Sequence, residues 1–250
     1  MKLFGMIHLP RLTFDSDTYL DEIVDYAIAE GKKLEEAGFD ALMIENFNDV
    51  PFPKTRVSDL VLSKMSVILY QLRKEVNIEI GVNILRNGCE QALVLATLHN
   101  CDYIRCNIWE SAYVTDQGII ETPAYEVIRL KKMLNSEVKI LADVLVKHAK
   151  PLGTTSVIEA AKNVNSRGGA HGIIVSGVAT GAPPDPKQIE ELNSIGIKPF
   201  IGSGFSSGLA KVYRGKIAGA IVGTSIKVDG VTTNPIDPER AKVFINAMKL

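Results

Sequence analysis

The chain has 250 residues, 46% hydrophobic and 23% charged, a balance that excludes disordered, collagen-like and small disulfide-stapled classes. Lys and Arg number 28 against 29 Asp and Glu, a net charge of -1, so no overall positive field draws it to nucleic acid or anionic lipid.

From the N-terminus, the apolar run Leu3 to Leu9 is followed by Leu20, Ile23, Val24, Ala27, Ile28 and Leu34 at helical spacing, with Gly38 closing the helix. The same unit then repeats. Predicted strands at Ala41 to Glu45, Glu79 to Asn83, Tyr103 to Asn107, Lys139 to Val144, Gly172 to Ser176, Pro199 to Gly202 and Gly219 to Val222 alternate with predicted helices. Those helices cover Ser58 to Val76, Gly88 to His99, Pro123 to Asn135, Thr155 to Arg167, Pro186 to Ile195, Ser206 to Gly215 and Pro238 to Met248. The strands are continuously apolar, as strands buried on both faces are, and eight such units predict a (β/α)8 TIM barrel forming a single domain over 1–250. A doubly wound open sheet is the alternative, but GxGxxG is missing after the first strand.

Cys89, Cys101 and Cys106 are odd in number and lack CxxC spacing, which predicts neither a disulfide framework nor a zinc knuckle and fits a reducing cytoplasm. The apolar run at Met1 to Leu9 is too short for a signal peptide and has no small-residue cleavage site after it. No stretch approaches the roughly 18 to 20 apolar residues of a membrane helix.

Helix-to-strand joints are short, whereas the strand-to-helix joints Asn46 to Val57, Ile108 to Thr122, Val146 to Thr154 and Gly177 to Asp185 are long and polar. Barrel chemistry sits at the carboxyl ends of the strands. That end carries His8, Glu45, Asn46, Asn83, Arg86, Arg105, Asn107, Asp143, Lys147, His148, Ser176, Gly202 to Gly204 and Gly223 to Ser225.

Glu45 and Asp143 end apolar strands, where a carboxylate is costly unless paired or facing a cavity, so they are candidates for acid/base catalysis or, if any metal is used, for holding a divalent ion. A salt bridge to Arg86 or Arg105 would satisfy them equally well. His148 and His8 are the candidate proton shuttles, each set against a structural reading. Asn83, Arg105, Asn107 and Ser176 are candidate substrate-binding residues. Gly202, Ser203 and Gly204 lead into a helix and Gly223, Thr224 and Ser225 follow the last strand, a pairing that predicts a phosphate site. His99 and His171 fall on the opposite face and read as structural. No motif demands a cofactor.

At these residues the sequence resembles a known family. Gly5-Met6-Ile7-His8-Leu9-Pro10, Glu45-Asn46-Phe47-Asn48-Asp49-Val50-Pro51-Phe52, Gly81-Val82-Asn83-Ile84-Leu85-Arg86-Asn87 and Thr115-Asp116-Gln117-Gly118 are similar to segments of the BtpA family. So are Leu141-Ala142-Asp143-Val144, Lys147-His148-Ala149, Thr180-Gly181-Ala182-Pro183-Pro184-Asp185 and Ile221-Val222-Gly223-Thr224-Ser225. The resemblance spans essentially the whole chain and implies a TIM barrel. Its cyanobacterial members are associated with photosystem I accumulation at thylakoids; others are labelled as predicted enzymes, linked to sugar metabolism, or called phosphoribosylanthranilate isomerases. That isomerase uses a Cys after its first strand, where this chain has His8.

Two functions are expected to compete. The first is a cytoplasmic enzyme acting on a small phosphorylated metabolite, a sugar phosphate or ribosylated compound, by isomerase, lyase or hydrolase chemistry. The second is a non-catalytic assembly factor for a membrane protein complex, with peripheral membrane association. A small phosphorylated ligand is the expected partner of the first, and a homo-oligomer is compatible with both; nucleic acid is not expected.

Overall fold

In a computed structural model that describes residues 1–15, 17–177 and 181–249, eight parallel strands close into a barrel. They are β1 (Lys2–His8), β2 (Ala41–Glu45), β3 (Glu79–Asn83), β4 (Tyr103–Cys106), β7 (Lys139–Asp143), β9 (Gly172–Val175), β10 (Phe200–Ile201) and β11 (Gly219–Val222). Each pairs with the next in chain order, and β1 closes the ring on β11 with Lys2 opposite Gly219. The TIM-barrel expectation holds. Thr180, within the predicted 177–185 loop, lies outside the described residues.

The intervening helices are α1 (Leu20–Ala37), α2 (Asp59–Glu75), α3 (Cys89–Leu98), α4 (Ala124–Met133), α5 (Val157–Lys162), α6 (Pro186–Ser194), α7 (Ala210–Tyr213) and α8 (Pro238–Lys249). Their ends follow local chemistry. Gly38 ends α1 in the left-handed conformation at φ 93°, donating its N–H to Leu34 and Glu35 carbonyls. Ser58 caps α2 by accepting the Val61 N–H, a contact worth about 1 kcal/mol. The predicted helix over Thr155 to Arg167 is an α-helix continued by a π turn at Asn163–Arg167, and that over Ser206 to Gly215 is reduced to a 3₁₀ turn and the short α7.

Side chains alternate across each strand, and the two faces go to two cores. One parity packs outward under the helices, as Leu3, Ile7, Leu42, Ile44, Ile104, Val175 and Val222 do. The other fills the barrel with Phe4, Met6, Ala41, Met43, Tyr103, Leu141, Ile174 and Ile221. Phe4 meets Tyr103 edge-on at 5.0 Å, and Lys2 closes the amino-terminal end by pairing with Glu79 and donating to the Tyr103 hydroxyl.

Three further strands were not expected. β5 (Ala112–Thr115) and β6 (Gly118–Glu121) form an antiparallel hairpin within the Ile108 to Thr122 loop, and β8 (Ala149–Pro151) adds to the free side of β5. Ile108, Tyr113, Ile120 and Val146 form a small core beneath this sheet.

Candidate active site

The inward parity of the barrel, carried upward, produces the site. Two residues beyond Met6 stands His8; beyond Met43, Glu45; beyond Tyr103, Arg105; beyond Leu141, Asp143; beyond Ile174, Ser176; beyond Ile221, Gly223. His8 is opposite Glu45 in register, Glu45 opposite Asn83, and Asn83 opposite Arg105. The polar residues predicted at strand ends are thus one continuous layer above the apolar filling.

Above this layer opens a cavity of 530 Å³ whose wall includes His8, Glu45, Arg86, Arg105, Asn107, Lys147 and His148. Gly202, Ser203, Gly204, Gly223 and Thr224 line the same cavity, with Phe47, Val50, Phe52 and Leu85 as its apolar side and Asp116 from the β5–β6 turn. A volume of this size suits a small metabolite.

Four predicted site residues do not reach the cavity wall. Asp143 is buried and bound by Arg105 through two 2.8 Å hydrogen bonds, while Asn107 Nδ2 donates at 3.2 Å and Ser176 Oγ at 3.4 Å. It therefore anchors the residues around it. Asn83 lies behind Glu45 and donates to its carboxylate; Ser176 belongs to the Asp143 cluster. Ser225 donates to the Phe205 carbonyl at 3.2 Å and ties the β10 and β11 loops together. Gly202 lines the wall, but its N–H is spent on Val175 at 2.8 Å in the barrel ladder, so it offers no donor to a phosphate. Gly204 is at φ 70°, and a Cβ there would fall 2.1 Å from the Ala182 carbonyl carbon, which makes this glycine a requirement of close loop packing.

Glu45 is buried and accepts from Asn83 Nδ2. Burial pushes its carboxyl above the usual range, against the pull of Arg105, Lys147 and Asn83. Lys147 is depressed by burial and by Arg105 and Arg86, with Glu45 and Asp143 opposing. Arg105, despite burial, keeps its charge raised in stability by Asp143. His8 donates Nδ1–H to the Thr232 carbonyl at 2.9 Å and packs on Phe47 with ring centroids 4.4 Å apart. Burial first, and then Lys227, lower it to about 3, so His8 is a neutral imidazole and a poor general base. His148, exposed at the rim in a left-handed conformation at φ 58°, is lowered by partial burial, Lys147 and Arg86.

Among the described residues, two buried polar atoms of cavity-lining side chains have no hydrogen-bond partner: Arg86 Nε and Asn107 Oδ1. Unpaired buried groups cost about 1 to 3 kcal/mol each. No three His, Cys, Asp or Glu side chains converge as a metal site among the described residues; Glu45 and Asp143 turn to Asn83 and Arg105 instead. His99 and His171 bond Ser66 Oγ and the Ile140 N–H on the opposite face, a structural role.

Sequence reasoning placed Arg86 at the mouth only as a possible ion-pair partner and Lys147 without a role, and missed Asp116, Phe47 and Phe52 as wall residues. Thr-Asp-Gln-Gly between two alternating segments was the available hairpin signal. The wall is held from behind. Asn46 accepts the Leu85 N–H at 2.8 Å and donates to Asp49, whose carboxylate accepts the Leu12 N–H at 2.6 Å. Asn87 bonds both backbone groups of Ile108.

An eight-stranded parallel barrel with a polar, cavity-bearing carboxyl end defines a TIM-barrel protein. The chain belongs to the BtpA family, whose model matches residues 1–250. It is 40% identical to an uncharacterized protein of Methanocaldococcus jannaschii over 98% of this chain and 94% of that one. It is 39% identical to the photosystem I biogenesis protein BtpA of Synechocystis over 98% of this chain and 87% of that one. Phosphoribosyl anthranilate isomerase from Thermus thermophilus superimposes with TM-score 0.62 at 10% identity, covering 100% of this chain and 98% of its own. A structure titled native KDPGal gives TM-score 0.58 at 16% identity over 100% and 93% of the two chains. At such identities these likenesses show the fold. No helix among the described residues is long and apolar enough to cross a membrane.

Proposed function

We propose that this protein is an enzyme acting on a small phosphorylated metabolite, a sugar phosphate or ribosylated compound, by acid/base chemistry of isomerase, lyase or hydrolase type. The observation that carries the reading is the cavity whose wall brings Arg86, Asn107 and Glu45 together, the first two each with a buried polar atom, Nε and Oδ1, that has no partner among the described residues. A donor and an acceptor left open together suit a ligand bearing both anionic oxygens and hydroxyls.

Glu45 exchanges a proton with the substrate, and Asn83 fixes its orientation from behind. Arg105, held flat by Asp143, presents fixed positive charge where negative charge develops. Arg86 and Arg105 bring guanidinium donors to the wall, which suits an anion. Ser203 and Thr224 hydroxyls complete the phosphate subsite on the β10 and β11 side. That several structural neighbours are titled phosphoribosyl anthranilate isomerases supports phosphate handling by this fold.

The test is a thermal-shift panel of phosphorylated sugars and nucleotides. A true ligand at a hundredfold above its Kd stabilises the protein by about 2.7 kcal/mol; no response across the panel overturns the enzyme reading. A second reading, an assembly factor, is favoured by the Synechocystis relative being a photosystem I biogenesis protein. It predicts a protein partner whose binding survives Glu45→Gln and Arg86→Met.

A further inference from the structure

We propose that Lys147 is a covalent nucleophile, its Nζ condensing with the carbonyl carbon of a phosphorylated aldose, ketose or 2-oxo acid to form an imine in the mouth of the barrel. This rests on the phosphorylated-metabolite reading and narrows it to substrates with a free carbonyl.

Position comes first. Lys147 is the lysine of the cavity wall among the described residues, sharing it with Glu45, Arg105 and Asn107. The chain leaves β7 at Asp143 and turns through two left-handed residues, Leu145 at φ 47° and His148 at φ 58°. It is then captured as β8, where Ala149 pairs with Thr115 and Lys150 with Val114. Arg86 Nη2 donates to the Lys147 carbonyl at 2.9 Å. The backbone that carries the amine is therefore pinned on both sides, which holds the nucleophile near its target instead of leaving it to sweep solvent. Lys227, the chain's deeply buried lysine, is spent on Glu30 at 3.3 Å and lines no part of this cavity.

The surroundings shift Lys147 toward the neutral amine. A lysine becomes nucleophilic when desolvated or set beside other cations, and Lys147 has both conditions, burial and the neighbouring Arg105 and Arg86. The acid that carbonyl addition needs stands in the same wall in Glu45, whose carboxyl burial raises above the ordinary range.

The step balances without any oxidant or co-reactant. The Nζ lone pair attacks the carbonyl carbon as the C=O π pair moves to oxygen, which takes the Glu45 proton. The resulting ammonium returns a proton to the Glu45 carboxylate. The carbinolamine hydroxyl then leaves as water, carrying that proton, while the nitrogen lone pair closes the C=N bond. The product is an iminium beside the Glu45 carboxylate, an electron sink that permits deprotonation or C–C cleavage at the adjacent carbon. That is the chemistry of an isomerase or lyase; the hydrolase branch of the proposed function is disfavoured.

The experiment is reductive trapping. The protein is incubated with sodium cyanoborohydride and ribose 5-phosphate, fructose 6-phosphate, dihydroxyacetone phosphate or pyruvate, then digested for mass spectrometry. Sorbitol 6-phosphate, which has no carbonyl, serves in parallel as the binding control by thermal shift. The expected result is a reduced adduct concentrated on Lys147 with at least one carbonyl compound. It is absent in Lys147→Arg and forms at least about a hundredfold more slowly in Glu45→Gln. Adducts spread evenly over surface lysines, or none at Lys147 with any carbonyl phosphate that stabilises the fold, overturn the proposal. In either case stabilisation by sorbitol 6-phosphate leaves the phosphate-ligand reading standing. Failure of every phosphate to stabilise or label the protein overturns both.

Discussion

The Arg105 guanidinium meets the Asp143 carboxylate side by side, Nε to Oδ2 and Nη2 to Oδ1 both at 2.8 Å, with neither side chain more than a few per cent exposed. This two-pronged geometry fixes the plane of the guanidinium. Asp143 is therefore a residue that holds Arg105, and its replacement acts on stability as well as on ligand.

Removing one partner of a buried ion pair leaves an uncompensated charge. Asp143→Asn is expected to lower stability by about 3 to 5 kcal/mol, read as a lower urea midpoint. The double variant Arg105→Met, Asp143→Leu recovers most of that loss but not ligand binding. A single variant that melts like the parent would show that the pair is not a buried pair in solution.

The barrel and its polar ring were legible because strand-end residues such as His8, Glu45 and Asp143 share the inward parity of the apolar residues two places before them. Which of them faces the cavity was not legible. Asp143 and Asn83 turn sideways to neighbours on adjoining strands, a matter of lateral packing that strand position alone does not encode. The small sheet of β5, β6 and β8 escaped because its strands are four residues or fewer, inside segments rich in loop-forming residues. Nor was the placement of Lys147, which depends on left-handed conformations at Leu145 and His148 and not on glycine.

Glu45 gives a pH-dependent signature. Its folded-state pKa is raised, chiefly by burial, so the folded protein binds a proton more tightly than the unfolded chain. Stability therefore falls as pH rises from the ordinary carboxylate range through the folded pKa. Glu45→Gln can keep the contact with Asn83 through its amide oxygen and does not ionise. Its melting temperature is expected to exceed that of the parent at pH 8, with the gap closing as pH approaches 4, while turnover is lost. A constant gap across that range, or full turnover in the variant, would count against an acid/base role.

His8 has the opposite dependence. Its pKa is lowered from 6.5 to about 3, so the unfolded chain takes up the proton first and stability is lost as pH falls from about 6.5 toward 3. Between neutrality and pH 5 the loss from this residue is about 2 kcal/mol. His8→Asn retains a donor toward the Thr232 carbonyl without the titration. Denaturant midpoints at pH 7 and 5 should drop by less in the variant; identical drops would mean that the imidazole is not buried and neutral.

The glycine-rich turn separates a packing requirement from a ligand contact. Gly196 is left-handed at φ 78° with open space where a Cβ would stand, whereas a Cβ on Gly204, at φ 70°, would press within 2.1 Å of the Ala182 carbonyl carbon. Gly196→Ala is expected to cost about 1 to 2 kcal/mol for the backbone conformation alone, and Gly204→Ala clearly more, because the 181–183 backbone must shift. Gly204 variants are thus unsuitable for probing a phosphate site. Ser203 and Thr224 are suitable, since Ser203 Oγ donates weakly to the Ala182 carbonyl at 3.3 Å and Thr224 Oγ1 shares a 2.9 Å bond with Thr232 Oγ1, both in the cavity wall. Ser203→Ala and Thr224→Val should each cost only about 0.5 to 1.5 kcal/mol in stability. A hydrogen bond to a charged ligand contributes more, about 1.5 to 3 kcal/mol, so each variant should weaken a bound sugar phosphate roughly ten- to hundredfold by calorimetry. Sugar-phosphate affinity that is unchanged in both variants while Arg86→Met abolishes it would move the phosphate from the β10 and β11 turns to the Arg86 and Lys147 side of the mouth.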